Sequence, residues 1–325
     1  MEVIELFGGI GAVRKALIQA GIPFHVVDYV ENDPKCVRSY NALYNERYEP
    51  KSVIGYSPPD VPVDLLMHGS PCQDFSRVGL KRGGVPGSGT RSSLLFQTVR
   101  ILSEMKLKPT WVIWENVKGV LDKNMRGSFF SYLDALQALG YESIYQVLNA
   151  MDFGIPQKRE RLFVISYRGK NPFSFAHLER VPMRPLSDFL EKTADNRYFV
   201  TQPSMLRMLE GTDNARSFHG RLKVITDFAY TISTKQVRVP NSGILALSGG
   251  GYRYLTEREC FRLMGFLDED VDRLLTVHPR RRQQMSSTLY RQAGNSIVVD
   301  VLMAILKQIQ TIQLKQWKEE TNASL

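Results

Sequence analysis

Cys72 is the first residue of this sequence whose type and setting suit chemistry. It lies in Gly-Ser-Pro-Cys-Gln (69–73), directly after the apolar run 63–67, and a glycine-rich stretch carrying Lys81 and Arg82 follows it. Such a run is typical of the end of a buried strand, and a thiol placed there in front of a glycine-rich loop is typical of a nucleophile. Free cysteines are more often small buried apolar residues. The segment alone favours that structural interpretation unless other residues supply partners.

Charged side chains near the ends of other predicted strands supply such partners. Two apolar runs end on Glu31 and Glu115, and Gln-Lys-Arg-Glu-Arg (157–161) leads into another. Strands that alternate with helices over the first half of the chain predict a parallel sheet with helices on both faces. Ligands bind at the carboxyl ends of the strands in such sheets. The convergence of Glu31, Cys72 and Glu115 at these ends therefore favours a functional role for the thiol.

The beginning of the chain has the order of a nucleoside-binding unit. A predicted strand is followed by Gly-Gly-Ile-Gly (8–11), a helix that stops at Gly21, and a second strand that ends at Glu31. Glycines let the backbone approach a ligand, and an acid about 20 residues after the turn can accept hydrogen bonds from ribose hydroxyls. The spacing differs from the GxGxxG of pyrophosphate binders, so it favours S-adenosylmethionine over NAD. An ordinary glycine turn of an α/β protein has the same pattern.

A thiolate, a carboxylic acid and an arginine beside a nucleoside suit attack on an electron-poor ring such as cytosine. Addition of the thiolate at carbon 6 makes carbon 5 able to take a methyl group, and covalent catalysis of this kind divides one hard step into easier ones. The acid would hydrogen-bond or protonate ring nitrogen 3. The arginine would hold the 2-oxo oxygen.

The composition is that of a globular protein with a polyanionic partner. Hydrophobic residues make up 43% and charged residues 23%, which argues against wholesale disorder. The net charge of +9 favours contact with phosphate backbones, although many basic proteins bind nothing of the kind. Three cysteines without metal-ligand spacing predict no metal site and a reducing compartment. The absence of a secretory signal and of an apolar run of membrane length predicts a cytosolic protein without a membrane partner.

Seven ordered segments make the whole chain similar to the bacterial and phage DNA (cytosine-5) methyltransferase family. They are Glu5-Leu6-Phe7-Gly8-Gly9-Ile10-Gly11, Glu31, Gly69-Ser70-Pro71-Cys72-Gln73, Glu115-Asn116-Val117, Gln157-Lys158-Arg159-Glu160-Arg161, residues 255–266 and Gln292-Ala293-Gly294-Asn295-Ser296. One such segment is weakly specific, whereas seven in matching order and spacing are highly specific. The resemblance implies an α/β fold with a doubly wound, mostly parallel, Rossmann-like sheet, and a second, smaller recognition domain. It also implies double-stranded DNA as the partner.

The resemblance implies a role for each matching residue. Cys72 would be the nucleophile, Glu115 would act at ring nitrogen 3, and Arg161 would contact the 2-oxo group, with Arg159 in the same catalytic set. The residues implied for the S-adenosylmethionine pocket, which would release S-adenosylhomocysteine, are Phe7, Gly9, Gly11, Glu31, Asn32, Pro71, Asn295 and Ser296. Each has a structural alternative, such as a core aromatic for Phe7 or a surface acid for Glu31.

The resemblance further divides the chain into a catalytic domain (1–184), a target-recognition domain (185–286) and a C-terminal helix (287–325) that returns to the catalytic domain. The segment 73–93 would close over a flipped-out cytosine. The candidate DNA-binding residues are Lys81, Arg82, Arg216, Arg221, Lys235, Gln236 and Arg238, since Arg and Gln suit base-edge readout. Residues 318–325 are predicted to form a polar tail. A monomer is expected, because an asymmetric cleft between two domains can grip DNA alone.

Two departures from the family concern the cofactor, and two other functions stay open. The aspartate that the family uses for the adenine amino group is missing near Ser52, and Ala12 replaces a common glycine. Adenine must then be bound differently, by Ser52 or by backbone groups. The alternative functions are an RNA methyltransferase on the same scaffold, acting on transfer RNA, and a catalytically silent DNA-binding protein. An intact set of Cys72, Glu115 and Arg161 argues against the silent protein.

Overall fold

The computed structural model describes residues 1–70, 93–206, 209, 222–236, 242–280 and 283–323. Its strands are β1 (Glu2–Leu6), β2 (His25–Val30), β3 (Leu65–His68), β4 (Trp111–Val117), β5 (Tyr141–Asn149), β6 (Gln157–Lys158), β7 (Glu160–Arg168), β8 (Ala229–Tyr230), β9 (Ile244–Ala246) and β10 (Tyr252–Tyr254). Its α-helices are α1 (Ala12–Gln19), α2 (Pro34–Tyr44), α3 (Ser93–Glu104), α4 (Arg126–Ala138), α5 (Pro203–Leu206), α6 (Glu257–Arg262), α7 (Asp268–Val277), α8 (Ser287–Asn295) and α9 (Val299–Ala323). The strand and helix alternation predicted for the first half is confirmed.

Six of the described strands form one sheet in the order β2-β1-β3-β4-β7-β5. The strands β2, β1, β3 and β4 are parallel to one another, whereas β7 runs antiparallel to both β4 and β5. Only residues 150–159 join β5 to β7, too few for the crossover helix that a parallel connection needs. The sheet is therefore mostly parallel, as predicted, with one reversed strand beside β4.

Apolar side chains alternate between the two faces of this sheet and build a core on each. Met67 and Ile113 belong to the core that includes residues of α1 and α9, whereas Leu66 and Trp114 belong to the core that includes residues of α3 and α4. A strand buried on both faces has this near-continuous apolar sequence. Helices on both faces of the sheet are the layers that the sequence predicted.

Local signals in the sequence set the ends of several helices, and two of them are predictable from the chain: Thr256 with Glu259 fits a capping box, and Gly265 fits a helix stop. Asp33 is the N-cap of α2 and accepts a hydrogen bond from the backbone N–H of Lys35, which satisfies one of the free donors of the first turn. Thr256 and Glu259 form the predicted capping box at the start of α6. Gly265, with φ +84°, follows the end of α6, and the predicted stop of this helix is confirmed.

Part of the predicted recognition region has a small core of its own. Its members are Val200, Met205, Leu222, Ile244 and Tyr254. Buried residues of α6 and α7, such as Phe261 and Leu274, belong instead to the core that includes α1 and α9. The packing therefore favours a recognition unit that ends near residue 254. The predicted boundary at residue 286 is not tested by this packing and stays a prediction.

The C-terminal segment differs from its prediction in three respects. The sequence predicts that the segment 294–296 opens a final helix at 298–317, and α9 does begin at Val299, but an additional helix that was not predicted, α8, precedes it from Ser287. The helix α9 continues to Ala323, so the polar tail predicted from residue 318 is helical as far as that residue. By length and mean hydropathy alone, Ser287–Asn322 is also apolar enough to cross a membrane, although 44% of its apolar window is buried against the protein. The prediction that no apolar run reaches membrane length is therefore wrong for this segment.

Candidate active site

A cavity lies at the carboxyl ends of β1, β3 and β4 and has a volume of about 580 Å³, counting its open mouth. Its walls are formed by Glu5, Leu6, Phe7, Gly8, Gly9, Ile10, Ala12, Val13, Cys36, Met67, Gly69, Glu115, Gln292, Asn295, Ser296 and Ile297. Four predicted cofactor residues, Phe7, Gly9, Asn295 and Ser296, are among them. The predicted acid Glu115 borders the same cavity, so the two predicted sites adjoin.

The glycine turn after β1 forms one wall of this cavity. Gly9 and Gly11 have φ values of +55° and +80°, which glycine adopts without the cost of a Cβ. Glu31, at the end of β2, accepts hydrogen bonds from the backbone N–H of Gly9 at 3.0 Å and of Asp33 at 2.8 Å. Phe7 also has a positive φ, +53°, an uncommon conformation for a non-glycine residue and one found at functional sites.

Glu5 is a buried acid of this wall that was not among the predicted site residues. It is 1% exposed, and its Oε1 accepts a hydrogen bond from the Tyr40 hydroxyl at 2.9 Å. Among the described residues, Oε2 has no hydrogen-bond partner. Burial raises the pKa of Glu5 to about 7, against the opposing effects of the Tyr40 hydrogen bond and the Arg14 charge. An acid inside an apolar strand was the available signal for such a residue.

Glu115 and Arg161 form an ion pair at the edge of the cavity. In the antiparallel register Val117 lies opposite Arg161, so Glu115 and Arg161 are diagonal neighbours on one face. Their Oε1 and Nε atoms are 3.4 Å apart. Burial raises the pKa of Glu115, while Arg161 and then Arg159 lower it. A raised pKa makes this carboxyl hold a proton more readily than an exposed one does, which suits a proton donor.

Cys72 and Pro71 lie outside the described residues, but the backbone that leads to them is held firmly. The Asn116 side chain donates a hydrogen bond to the Ser70 carbonyl at 3.1 Å, and Trp114 Nε1 donates to the Ser70 hydroxyl at 3.0 Å. Both donors come from β4, on either side of Glu115 in sequence. The chain thus enters the Cys72 segment from a point fixed by the same strand that carries Glu115.

Arg159 makes contacts different from those predicted for a catalytic residue. Its buried guanidinium donates hydrogen bonds to the carbonyls of Ile232, Gly294 and Ser296 at 3.0, 2.9 and 2.8 Å. Burial, and then the charge of Arg161, lower the pKa of Arg159 to about 9, so it is cationic at neutral pH. The geometry favours a positioning role for Arg159, and a direct catalytic role stays a prediction.

Two of the predicted DNA-binding residues are described. Lys235 is exposed. Gln236 is only 2% exposed, and its side-chain amide bonds to the Ser233 N–H and to the Ser242 hydroxyl within its own loop. Gln236 therefore does not present its amide to a DNA groove in this conformation, because both ends of the amide are occupied. The other predicted residues, Lys81, Arg82, Arg216, Arg221 and Arg238, lie outside the described residues.

Three further positions were predicted to bear on cofactor binding, and their contacts do not identify a residue that binds adenine. Asn32 is exposed beside Glu31. The Ser52 hydroxyl accepts a hydrogen bond from the backbone N–H of Ile54 at 3.1 Å and is exposed. Ala12 begins α1 and lines the cavity. Adenine binding by Ser52 stays a prediction.

The chemistry of the cavity wall fits S-adenosylmethionine. This cofactor carries a cationic sulfonium and an ammonium group, and Glu5 and Glu115 supply carboxyls to the wall. The Oε2 atom of Glu5 has no hydrogen-bond partner among the described residues and can accept one from a ligand. A Cβ built on Gly9 would meet no atom within 4 Å, so the backbone there is open to a ligand. Among the described residues, no group of His, Cys, Asp and Glu side chains is placed to hold a metal ion. Fold and site together define a Rossmann-like, S-adenosylmethionine-dependent methyltransferase.

Comparisons with known proteins narrow this class to one family. Residues 1–311 match the family model for C-5 cytosine-specific DNA methylases. The chain is similar to the Type II methyltransferase M.DsaV of Dactylococcopsis salina, with 30% identity over 98% of this chain and 89% of the relative. It is also similar to M2.ScrFI of Lactococcus lactis subsp. cremoris, with 28% identity over 95% and 99%. The fold is similar to that of the S. pombe Dnmt2 methyltransferase, with a TM-score of 0.74, 21% identity and coverage of 94% and 96%.

The chain belongs to the C-5 cytosine-specific DNA methylase family. It is an S-adenosylmethionine-dependent DNA (cytosine-5) methyltransferase, as the resemblance of its motifs implied.

Proposed function

We propose that this enzyme methylates carbon 5 of a flipped-out cytosine in a short, specific duplex site through a covalent bond to Cys72. The observation that carries the proposal is the Glu115–Arg161 pair, in which Glu115 borders the cofactor cavity and lies on the strand that also holds Ser70. Ser70 is two residues from Cys72. An acid, a guanidinium and a thiol can thus face one ring beside the methyl donor.

Each catalytic residue acts on one atom of the cytosine. The Cys72 thiolate adds to carbon 6, and this new Sγ–C6 bond raises the electron density at carbon 5. Glu115 donates a proton or hydrogen bond to ring nitrogen 3 as charge builds there, and Arg161 holds the 2-oxo oxygen. The cofactor, when bound, supplies an electrophilic methyl group. After carbon 5 has bonded to that methyl group, water takes up the carbon 5 proton. The Sγ–C6 bond breaks as the double bond between carbons 5 and 6 re-forms, the proton on ring nitrogen 3 returns to Glu115, and Cys72 is freed.

The recognition unit and the segment 73–93 would supply the DNA contacts. The target carbon is unreachable inside the base stack, so the cytosine must leave the helix. The net charge of +9 favours the phosphate backbone, with Lys81, Arg82, Lys235 and the arginines 216, 221 and 238 as candidate contacts. We infer a monomer that acts in the cytoplasm of a bacterial or phage-infected cell, on nucleoid DNA. The names of the bacterial relatives support a role in restriction and modification.

Methyl transfer from labelled S-adenosylmethionine tests the proposal, with unmethylated duplex DNA and transfer RNA as parallel substrates. Labelling of duplex DNA alone is expected, because the curated relatives named above are Type II methyltransferases. Labelling of transfer RNA alone would establish the RNA enzyme instead. Bisulfite sequencing of the product locates the modified cytosine.

The covalent step has its own test. Duplex DNA with 5-fluorocytosine at the target should form a complex with the enzyme that survives denaturing gels, because fluorine cannot leave as a proton does. Cys72→Ala should form no such complex and transfer no methyl group, and Cys260→Ala, at a buried cysteine, serves as the control. Methyl transfer by Cys72→Ala would contradict the proposal.

A further inference from the structure

Three tyrosines lie behind the glycine turn and form a cluster, in which Tyr29 and Tyr40 are fully buried and Tyr44 is partly buried. Tyr29 comes from β2, whereas Tyr40 and Tyr44 are one turn apart on α2. The rings of Tyr29 and Tyr40 stack with centroids 3.8 Å apart, and Tyr44 meets Tyr40 edge-on at 4.8 Å. Aromatic pairs of this geometry add to the stability of a core. The cluster therefore presents a rigid surface to the back of the turn.

Two hydroxyls of the cluster donate hydrogen bonds to carbonyls of the turn. Tyr29 donates to the Gly9 carbonyl at 2.6 Å, and Tyr44 donates to the Gly11 carbonyl at 2.6 Å. The Gly11 carbonyl also accepts from the backbone N–H of Lys15 at 2.9 Å. For the Gly9 carbonyl, Tyr29 is the donor found among the described residues. Loss of the Tyr29 hydroxyl would therefore leave the Gly9 carbonyl without this donor, whereas loss of the Tyr44 hydroxyl would leave the Gly11 carbonyl bonded to the Lys15 N–H.

The rings also explain why two positions of the turn are glycine. A Cβ on Gly8 would lie 2.6 Å from the Tyr29 ring, and a Cβ on Gly11 would lie 2.6 Å from the Tyr44 ring. At Gly8 the backbone has no positive φ that demands glycine, so the close approach of Tyr29 is the reason. The sequence showed the glycines but not what they approach.

The cluster contacts the cofactor cavity indirectly, through the glycine turn and through Glu5, which accepts the Tyr40 hydrogen bond. None of the three tyrosines is among the residues that form the cavity wall, whereas Phe7, Gly8 and Gly9 are. The Gly9 residue is held on two sides, since Glu31 accepts from its N–H and Tyr29 donates to its carbonyl. Loss of the Tyr29 hydroxyl would remove the hydrogen bond that fixes the Gly9 carbonyl, in the part of the backbone that lines the cavity.

We propose that Tyr29 and Tyr44 are positioning residues of the cofactor site, which hold the glycine turn in the conformation that binds S-adenosylmethionine. This inference rests on the proposed assignment of the cavity to the cofactor. If only a fraction of the molecules hold the turn in its binding conformation, the apparent Kd equals the intrinsic Kd divided by that fraction. Once the cofactor is bound, the turn is restored and the chemical step is unchanged.

The test compares Tyr29→Phe, Tyr44→Phe and Tyr141→Phe in the full-length enzyme. Tyr141 is a matched control, because it is buried and its hydroxyl also donates to a carbonyl, that of Pro109, at 2.7 Å. Tyr29→Phe should raise the Kd and KM for S-adenosylmethionine about tenfold, since a buried carbonyl loses its donor. Tyr44→Phe should raise them about threefold or less, because the Gly11 carbonyl keeps the Lys15 N–H. The kcat at saturating cofactor and the KM for DNA should stay unchanged in both variants.

Two outcomes separate failure of this inference from failure of the cofactor assignment. If Tyr29→Phe lowers the melting temperature as Tyr141→Phe does but binds S-adenosylmethionine within twofold of the parent enzyme, the tyrosines only stabilise the fold and the inference is overturned. The variants Phe7→Ala and Glu31→Gln are measured alongside. If these two also bind the cofactor as the parent does, the cavity is not the cofactor site.

Discussion

Two acids of the site, Glu5 and Glu115, share a buried setting but differ in their partners. Burial raises the pKa of both. Glu115 faces Arg161, which opposes that effect directly, whereas Glu5 has the Tyr40 hydroxyl and the more distant charge of Arg14. A guanidinium that contacts a carboxyl lowers the pKa of that carboxyl, and a neutral hydroxyl lowers it less. Glu115, paired with Arg161, is thus suited to exchange a proton with a bound base. Glu5 is suited to take up a proton near neutral pH.

Glu115→Gln should lower the single-turnover rate of methyl transfer at least about 100-fold, because a general acid contributes an acceleration of about this size. The amide keeps the shape of the side chain but cannot donate the proton to ring nitrogen 3 in the same way. Cofactor affinity, measured by calorimetry, should change little. Glu160→Gln is the control, since Glu160 is an exposed neighbour paired with Lys118. A rate for Glu115→Gln within tenfold of the parent would refute the acid role.

Glu5 should make the cofactor-free enzyme less stable as pH rises. Its pKa is about 7 in the folded protein against 4.5 for the ordinary group. Its stabilising contribution is therefore fully present below pH 4.5 and is lost as pH rises through about 7, an effect of about 3 kcal/mol. Glu5→Gln should remove this part of the pH dependence. Urea unfolding between pH 5 and 8.5 measures it, and parallel pH profiles for parent and variant would contradict the prediction.

At the scale of elements, close backbone contacts position the C-terminal segment against the recognition segment. Gly294 lies in α8, and a Cβ there would be 2.5 Å from the backbone of Ser233. Thr231 donates to the Lys158 carbonyl at 2.8 Å, next to the β6–β8 pair. These contacts bring α8, β6 and the recognition segment together at the cavity, although they are far apart in sequence.

Gly294→Ala should lower both the free energy of unfolding and methyl transfer, because backbone atoms cannot yield as a flexible side chain can. The expected loss of stability is about 1–3 kcal/mol, as for overpacking. Gly127→Ala is the matched control, since Gly127 lies in α4 and a Cβ there meets no atom within 4 Å. It should leave the protein equally or more stable, because alanine favours helix. Equal stability for the two variants, measured by urea unfolding, would refute the close contact.

At the scale of the whole molecule, one buried cation links the catalytic sheet to two distant segments. Arg159 joins the start of the β7 region to Ile232 of the recognition segment and to Gly294 and Ser296. Three carbonyls accept hydrogen bonds from its Nη1 and Nη2 atoms, as a buried charge requires, while its Nε has no hydrogen-bond partner among the described residues. The position of the recognition segment relative to the cavity thus depends on a residue in the catalytic sheet.

Arg159→Met should destabilise the fold by about 3 kcal/mol and raise the KM for DNA, since three buried carbonyls lose their donor. Arg180→Met is the control, because Arg180 is an exposed residue paired with Asp152, and such pairs contribute about 1 kcal/mol or less. Thermal unfolding and steady-state kinetics measure the two effects. A variant as stable as Arg180→Met with an unchanged KM for DNA would show that the three bonds do not position the recognition segment.

The sequence by itself determined the local order of this protein. The strand, glycine turn, helix and acid at 1–31 are confirmed, as are the capping box of Thr256 and the mostly parallel sheet. These features follow from hydropathy period, glycine and capping residues, all of which act over a few residues. The order of seven motifs also determined the family, which the comparisons confirm.

The tertiary structure alone decided which side chains meet. The pairing of β7 with β4, the contacts of Arg159 and the hydrogen bond from the Tyr29 hydroxyl to Gly9 each depend on residues distant in sequence. The lower pKa of Arg159 and the raised pKa of Glu5 likewise follow from burial. Hydropathy patterns record which residues avoid water, but partners across a fold are set by packing, and packing has no local signature in the chain.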